Sequence, residues 1–197
     1  PGSPGRGADG AALGDDPLSE AMLDRMRAEG LSTEHVRRLP GRSPGLYAVS
    51  VDPRGERSFT YWRAQSAARE MLRPGGLDPD ALAGFDALYL SGITLAILPP
   101  EGRARVAALA LQMRSAGRVV AFDGNHRPRL WKDKETAQAA IASLWAASTI
   151  ALPSREDEAR LHGPEAPEAL FRRIGATEAV LKDGAAGPHL WAEGRAL

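Results

Sequence analysis

Four short apolar runs constrain this chain more than anything else in it. "FDALYLSG", "GRVVAFDG", "STIALPS" and "EAVLKDG" start about 30 residues apart from residue 85 onward. Stretches of helical pattern separate the first three. "PEGRARVAALALQMRSAG" has proline near its start and glycine at its end, and "DKETAQAAIASLWAA" sets Ala137, Ile141, Leu144 and Trp145 along one side. The third connection predicts two shorter helices, near 155–162 and 166–174. Strand, helix, strand at this spacing requires right-handed crossovers and a parallel sheet. The expected class is α/β, with a doubly wound parallel sheet as its core from about 85 to 190.

The first half reads differently. Residues 1–12, "PGSPGRGADGAA", have no periodicity and are expected to be disordered or foreign to the domain, which then covers 13–197. A helix should follow, with Asp16 as its cap, Pro17 at its first position, a stripe of Leu18, Met22 and Met26, and Gly30 as its stop. Two alternating runs then flank Asp52-Pro53-Arg54-Gly55, the signature of a three-residue hairpin loop with a bulge. That loop pairs Asp52 with Glu56, Tyr47 with Tyr61 and Gly45 with Arg63, which sets Tyr47, Tyr61 and Arg63 on one face with Val49 and Phe59. A hairpin of this kind, taken alone, packs its aromatics on a core.

Composition removes several function classes. Lys+Arg and Asp+Glu both number 25, so the chain lacks the basic excess of a general nucleic-acid or membrane-surface binder. It has no cysteine, hence no disulfide, thiolate metal site or cysteine nucleophile. No apolar run approaches the roughly 18 residues of a membrane span, and no signal peptide is visible, so a cytoplasmic protein is expected. The basic residues are 22 Arg and 3 Lys, a bias that suits carboxylate and phosphate ligands and that genomic base composition also produces.

In an open parallel sheet, ligands bind at the carboxyl ends of the strands. Those ends are Ser91-Gly92, Asp123 to Arg127, Ser154 to Glu158 and Lys182-Asp183-Gly184. Singly, each is an ordinary polar strand end. Together they suggest anion handling. Arg127 and Arg129 suit a bidentate clamp, the amides around Gly184 and Gly187 a phosphate nest, and Asp157 and Glu158 a magnesium ion. The four histidines show no metal-ligand spacing, and His126 reads as a loop residue or sheet-edge filler.

Together these residues carry a resemblance. "GLY" followed by "FTYWR", then "LYLSGITLAIL", "FDGNHRPRLW", "LPSREDEA" and "VLKDGAAG", in this order and spacing, resemble the PfkB (ribokinase-like) sugar kinases, most closely those acting on 2-keto-3-deoxygluconate. The similarity runs from about Ala12 to about Gly187, and "LSGITLAIL" and the D-x-N-x-R-x-x-L-W pattern are its specific parts. It implies ATP- and Mg²⁺-dependent phosphorylation of the sugar acid at its 6-hydroxyl. It also implies that the 45–63 hairpin is a lid carrying Tyr47, Tyr61 and Arg63, with Arg63 and Arg127 holding the sugar acid. Asn125, Arg127, Ser154, Lys182 and Gly184 would face the nucleotide, and Asp157 falls where the family's metal-linked acid sits, with Ser154 in place of an asparagine. His126 takes the place of a tyrosine.

The ends depart from that pattern. A first strand with its Gly-Gly segment is expected where "PGSPGRGADG" stands, and the Gly-Ala-Gly-Asp motif with the general base is expected downstream of Leu197. The fold is therefore expected to be incomplete, poorly soluble or self-associating, and not competent for transfer by itself. The competing readings are another sugar kinase, of fructokinase or ribokinase type, and a non-catalytic sugar- or nucleotide-binding fragment. The expected partners are small molecules, with neither nucleic acid nor membrane, and homo-oligomers are compatible with the reading.

Overall fold

Asp16 and Pro17 start a helix for the reasons their chemistry supplies. In the computed structural model, which describes residues 7–196, the Asp16 carboxylate accepts from the Leu18 and Ser19 amides and Pro17 occupies the first position of α1 (Pro17–Ala28). The helix buries Ser19 and Leu23 rather than the expected stripe. Leu18 and Met22 stay exposed, and Met26 packs only partly against Leu13, Leu23 and Val36. Ser19 is buried because its hydroxyl donates to Asp16 at 2.7 Å and accepts from the Gly14 amide at 2.8 Å. Ahead of it, β1 (Ala11–Leu13) pairs in parallel with β2 (Val36–Arg38). Ala11 and Ala12 are thus ordered in a strand, contrary to the expectation for 1–12, while residues 1–6 lie outside the described residues.

The hairpin forms in the register its loop dictates. β3 (Leu46–Val51) and β4 (Arg57–Trp62) pair antiparallel with Tyr47 opposite Tyr61 and Val49 opposite Phe59. Asp52 closes the loop: its amide donates to the Glu56 carbonyl, and its carboxylate accepts from the Arg54 and Glu56 amides at 2.8 and 2.9 Å. Gly55, at φ 83°, takes the left-handed position. All residues of both strands are exposed, so the aromatics do not pack on a core.

The chain divides between Asp78 and Pro79 into two units, and the second carries the βα core. There β5 (Ala87–Ser91), β6 (Val119–Asp123), β7 (Ile150–Ala151) and β8 (Glu178–Leu181) are parallel neighbours, extended by antiparallel β9 (His189–Ala192) and β10 (Arg195–Ala196). The connections hold α2 (Gly92–Ile97), α3 (Pro100–Ser115), α4 (Lys134–Ala147), α5 (Arg155–His162) and α6 (Pro167–Ile174). Ala137, Ile141, Leu144 and Trp145 of α4 are all buried, and Trp145 meets Phe122 edge-on at 4.6 Å between ring centroids. Val120, Phe122, Ala151, Ala179 and Leu181 bury one face of the sheet, whereas Tyr89 and Val119 leave the other exposed. No helix among the described residues is long and apolar enough to cross a membrane.

Candidate functional site

The four polar strand ends of the second unit come together. Ser91 stands in register with Asp123, and Ser154 bridges Lys182. The backbone of Lys182 is fixed on both sides, its amide donating to the Pro153 carbonyl and its carbonyl accepting from the Arg155 amide, each at 2.9 Å. β7, the strand between, is only two residues long, so the Lys182 side chain passes its end and reaches β6, where Nζ donates to Asp123 Oδ1 at 2.7 Å. The Tyr89 phenol feels the same carboxylate: burial and then the Asp123 charge push it above the ordinary range.

Close approach shapes the loop after β6. A Cβ on Gly92 would lie 1.9 Å from the Gly124 carbonyl oxygen, and one on Gly124 would lie 2.9 Å from the Trp145 ring, so both positions require glycine. Asn125 follows with φ 35°, a region asparagine tolerates better than most residues, and its amide nitrogen donates to Ser91 Oγ at 3.2 Å. The His126 amide donates to Asp157 Oδ2 at 3.1 Å. Arg127 lies 3.9 Å from the same carboxylate and donates to the His126 carbonyl, yet remains half exposed. Arg129 is exposed and engages none of these groups. His126 is a loop residue, and a buried one; burial, opposed by Asp157, holds its imidazole below the ordinary range.

The two acids of α5 separate. Asp157 anchors the loop. Glu158 turns inward, 1% exposed, and pairs with Arg173 at 2.9 Å; burial, opposed by Arg173, pushes its carboxyl above the usual range. The expected sharing of a magnesium ion by both is therefore ruled out by direction. Among the described residues no three metal-binding side chains cluster, so Asp157 has no companions for a protein cage. Ser154 occupies the cap position of α5 without a side-chain cap bond. Gly184, at φ 51°, opens a single turn to Ala186, and Gly187 follows at φ 85°. Beside it Asp183 is held by His189 and Arg155, whose hydrogen bonds depress its carboxyl.

In the first unit, Tyr47, Phe59 and Tyr61 form a ladder with ring centroids 6.1 to 6.2 Å apart, and the Arg63 guanidinium lies over Tyr61 at 4.1 Å. The shared face read from the turn is thus present. Tyr89 had no place in the site as read from sequence, and Asp123 stood there only as a strand end. The alternation that puts Tyr89 and Ser91 on one sheet face was the available signal for the first.

The model for the pfkB family of carbohydrate kinases matches residues 10–191. The chain is 39% identical to a 2-dehydro-3-deoxygluconokinase of Dickeya dadantii, over 94% of its own length and 62% of that relative's. It thus spans less than two thirds of the curated relative it matches. Among solved structures, a PfkB protein from Polaromonas sp. JS666 superposes with TM-score 0.85 at 29% identity, covering 98% of this chain and 65% of that one. A fructokinase from Vibrio cholerae, solved with fructose, ADP and calcium ion, gives TM-score 0.78 at 25% identity, covering 98% and 62%. The fold these share with the present chain is ribokinase-like.

Proposed function

Since the chain belongs to the pfkB family of carbohydrate kinases, we propose that its strand ends and hairpin serve the phosphorylation of a sugar acid, 2-dehydro-3-deoxygluconate (2-keto-3-deoxygluconate), by ATP. The observation that carries the reading is the convergence of Lys182, at the end of β8, with Asn125 and Arg127, in the loop after β6, onto one edge. Lys182 is presented by a fixed backbone, and half-exposed Arg127 keeps donors free for a ligand.

In this reading Lys182, Asn125, Ser154 and the amides at Gly184 receive the nucleotide phosphates. Arg127 lies between phosphate and sugar acid, and Tyr47, Tyr61 and Arg63 contact the sugar. The γ-phosphoryl group passes from ATP to the 6-hydroxyl oxygen and ADP leaves. Catalysis of this kind rests on positioning and charge neutralisation. The hydroxyl proton needs a base, a role we assign to no residue of this chain. Magnesium accompanies the nucleotide in the reading. Among the described residues no cluster of side chains makes a cage for it.

Similarity to the Dickeya 2-dehydro-3-deoxygluconokinase supports a sugar acid as the substrate, as do Arg63 and Arg127, which a neutral sugar would leave without a counter-charge. As an enzyme of small metabolites the protein would be cytoplasmic, with neither nucleic acid nor membrane as partner. Calorimetric titration tests the reading. ATP and 2-dehydro-3-deoxygluconate should each bind saturably to the chain, and absence of binding for both would overturn the proposal.

A further inference from the structure

We propose that the contact between Asp183 and His189, anchored by Arg155, is a strut that shapes the Gly184–Gly187 turn for a phosphate of the nucleotide, with His189 as a positioning residue. The role rests on the reading of that turn as a receiver of nucleotide phosphates. The strut joins the two ends of the turn. Asp183 follows β8 and His189 opens β9, and His189 Nε2 lies 2.9 Å from Asp183 Oδ2. The same oxygen accepts from the Arg155 guanidinium at 2.7 Å. Arg155 is itself fixed, because it is the first residue of α5 and its amide donates to the Lys182 carbonyl at 2.9 Å. One carboxylate thus ties together the start of α5, the end of β8 and the start of β9.

Little else shapes the turn. Gly184, Ala185, Ala186 and Pro188 are all exposed, so no side chain of theirs packs it onto the core. Its backbone bonds are the Ala186 amide to the Asp183 carbonyl at 3.0 Å and the Gly187 amide to the Gly184 carbonyl at 3.3 Å. Gly184 and Gly187 hold φ 51° and 85°, and a Cβ on either would meet nothing within 4 Å. Two unconfined glycines have many other conformations open to them, and a bond across the ends of the turn removes most of these. Amides can cradle a phosphate cheaply only when they are already in place, since otherwise the ligand must offset the entropy of ordering them. The strut also deals with charge. His189 first, and then Arg155, hold the Asp183 carboxyl below the usual range, so it stays ionised and accepts from both. The carboxylate that would repel an arriving phosphate is thereby occupied.

Two variants separate the strut from plain structure. His189→Leu removes the contact and leaves Asp183 on Arg155, whereas His189→Gln keeps a donor of similar reach. Each is compared with the unaltered chain by ¹⁵N relaxation, by urea unfolding, and by calorimetric titration with ATP and with 2-dehydro-3-deoxygluconate. The Ala185 and Ala186 amides should show order parameters near about 0.85 in the unaltered chain and in His189→Gln, and below about 0.6 in His189→Leu. ATP should bind His189→Leu roughly tenfold more weakly and His189→Gln within about twofold of the unaltered chain. Sugar-acid affinity and the urea midpoint should stay nearly unchanged in both. The strut is refuted if the turn of His189→Leu remains ordered, if that variant keeps full ATP affinity, if ATP and sugar acid weaken together, or if His189→Gln fails as badly. An unaltered chain that binds no ATP would overturn the functional reading and the strut with it; the other adverse results overturn the strut alone.

Discussion

Lys182 is held at two levels, and the distinction matters for what its removal does. Its backbone amide and carbonyl belong to the sheet edge, while its side chain rests on Asp123 alone and is half exposed. A pair so open to solvent contributes at most about 1 kcal/mol to stability. Lys182→Met should therefore leave the urea midpoint nearly unchanged and weaken ATP binding roughly tenfold, the effect of losing one charge-assisted phosphate contact. A large loss of stability with unaltered ATP affinity would reassign the lysine to structure. Beside His126, whose imidazole is depressed in the same direction, His162 carries part of the pH dependence at this scale. Burial first, then the Arg173 charge, hold its imidazole below its ordinary 6.5, so the unfolded chain binds the proton more readily than the folded one. Stability is then full above the ordinary value and is lost as pH falls through it toward the depressed folded value. His162→Gln should flatten that fall in urea titrations between about pH 5 and 7; an unchanged slope would contradict the assignment.

Among the elements, the hairpin was the most legible in sequence because everything that fixes it is local. Asp52 and Gly55 set the loop, the loop sets the register, and the register puts Tyr47, Tyr61 and Arg63 on one face. What the strands do not show by themselves is that this face stays open to solvent. α1 was less legible: Leu18-Met22-Met26 and Ser19-Leu23-Met26 are adjacent stripes, and a buried serine satisfied by Gly14 and Asp16 decides between them. The Asp123–Lys182 contact was not legible, since it joins residues 59 apart across the end of a two-residue strand. The exposed ladder leads to a prediction. Tyr61→Ala should cost little stability yet reduce sugar-acid affinity about as much as Arg63→Gln, because the Arg63 guanidinium rests on the Tyr61 ring. Tyr61→Phe keeps the ring and should keep the affinity. A Tyr61→Ala chain that binds the sugar acid normally would remove the hairpin from the site.

At the scale of the whole chain, apolar surface remains uncovered in both units: Tyr47, Phe59 and Trp62 on the hairpin, and Tyr89, Val119 and Leu190 on the sheet. Surface of this extent promotes association. Sedimentation velocity should show species larger than the monomer, growing with concentration; a monodisperse monomer at all concentrations would contradict this. The βα rhythm was legible because hydrophobic patterning and crossover handedness leave few alternatives, and the family through the residues of its motifs. Substrate choice is a matter of a few charges, and it is the part of the account most open to a decisive result. That result is a calorimetric comparison of 2-dehydro-3-deoxygluconate with fructose, on the unaltered chain and on Arg127→Gln. On the sugar-acid reading, 2-dehydro-3-deoxygluconate binds at least about tenfold more tightly than fructose, and Arg127→Gln erases most of the difference. Equal or tighter binding of fructose to the unaltered chain would contradict it.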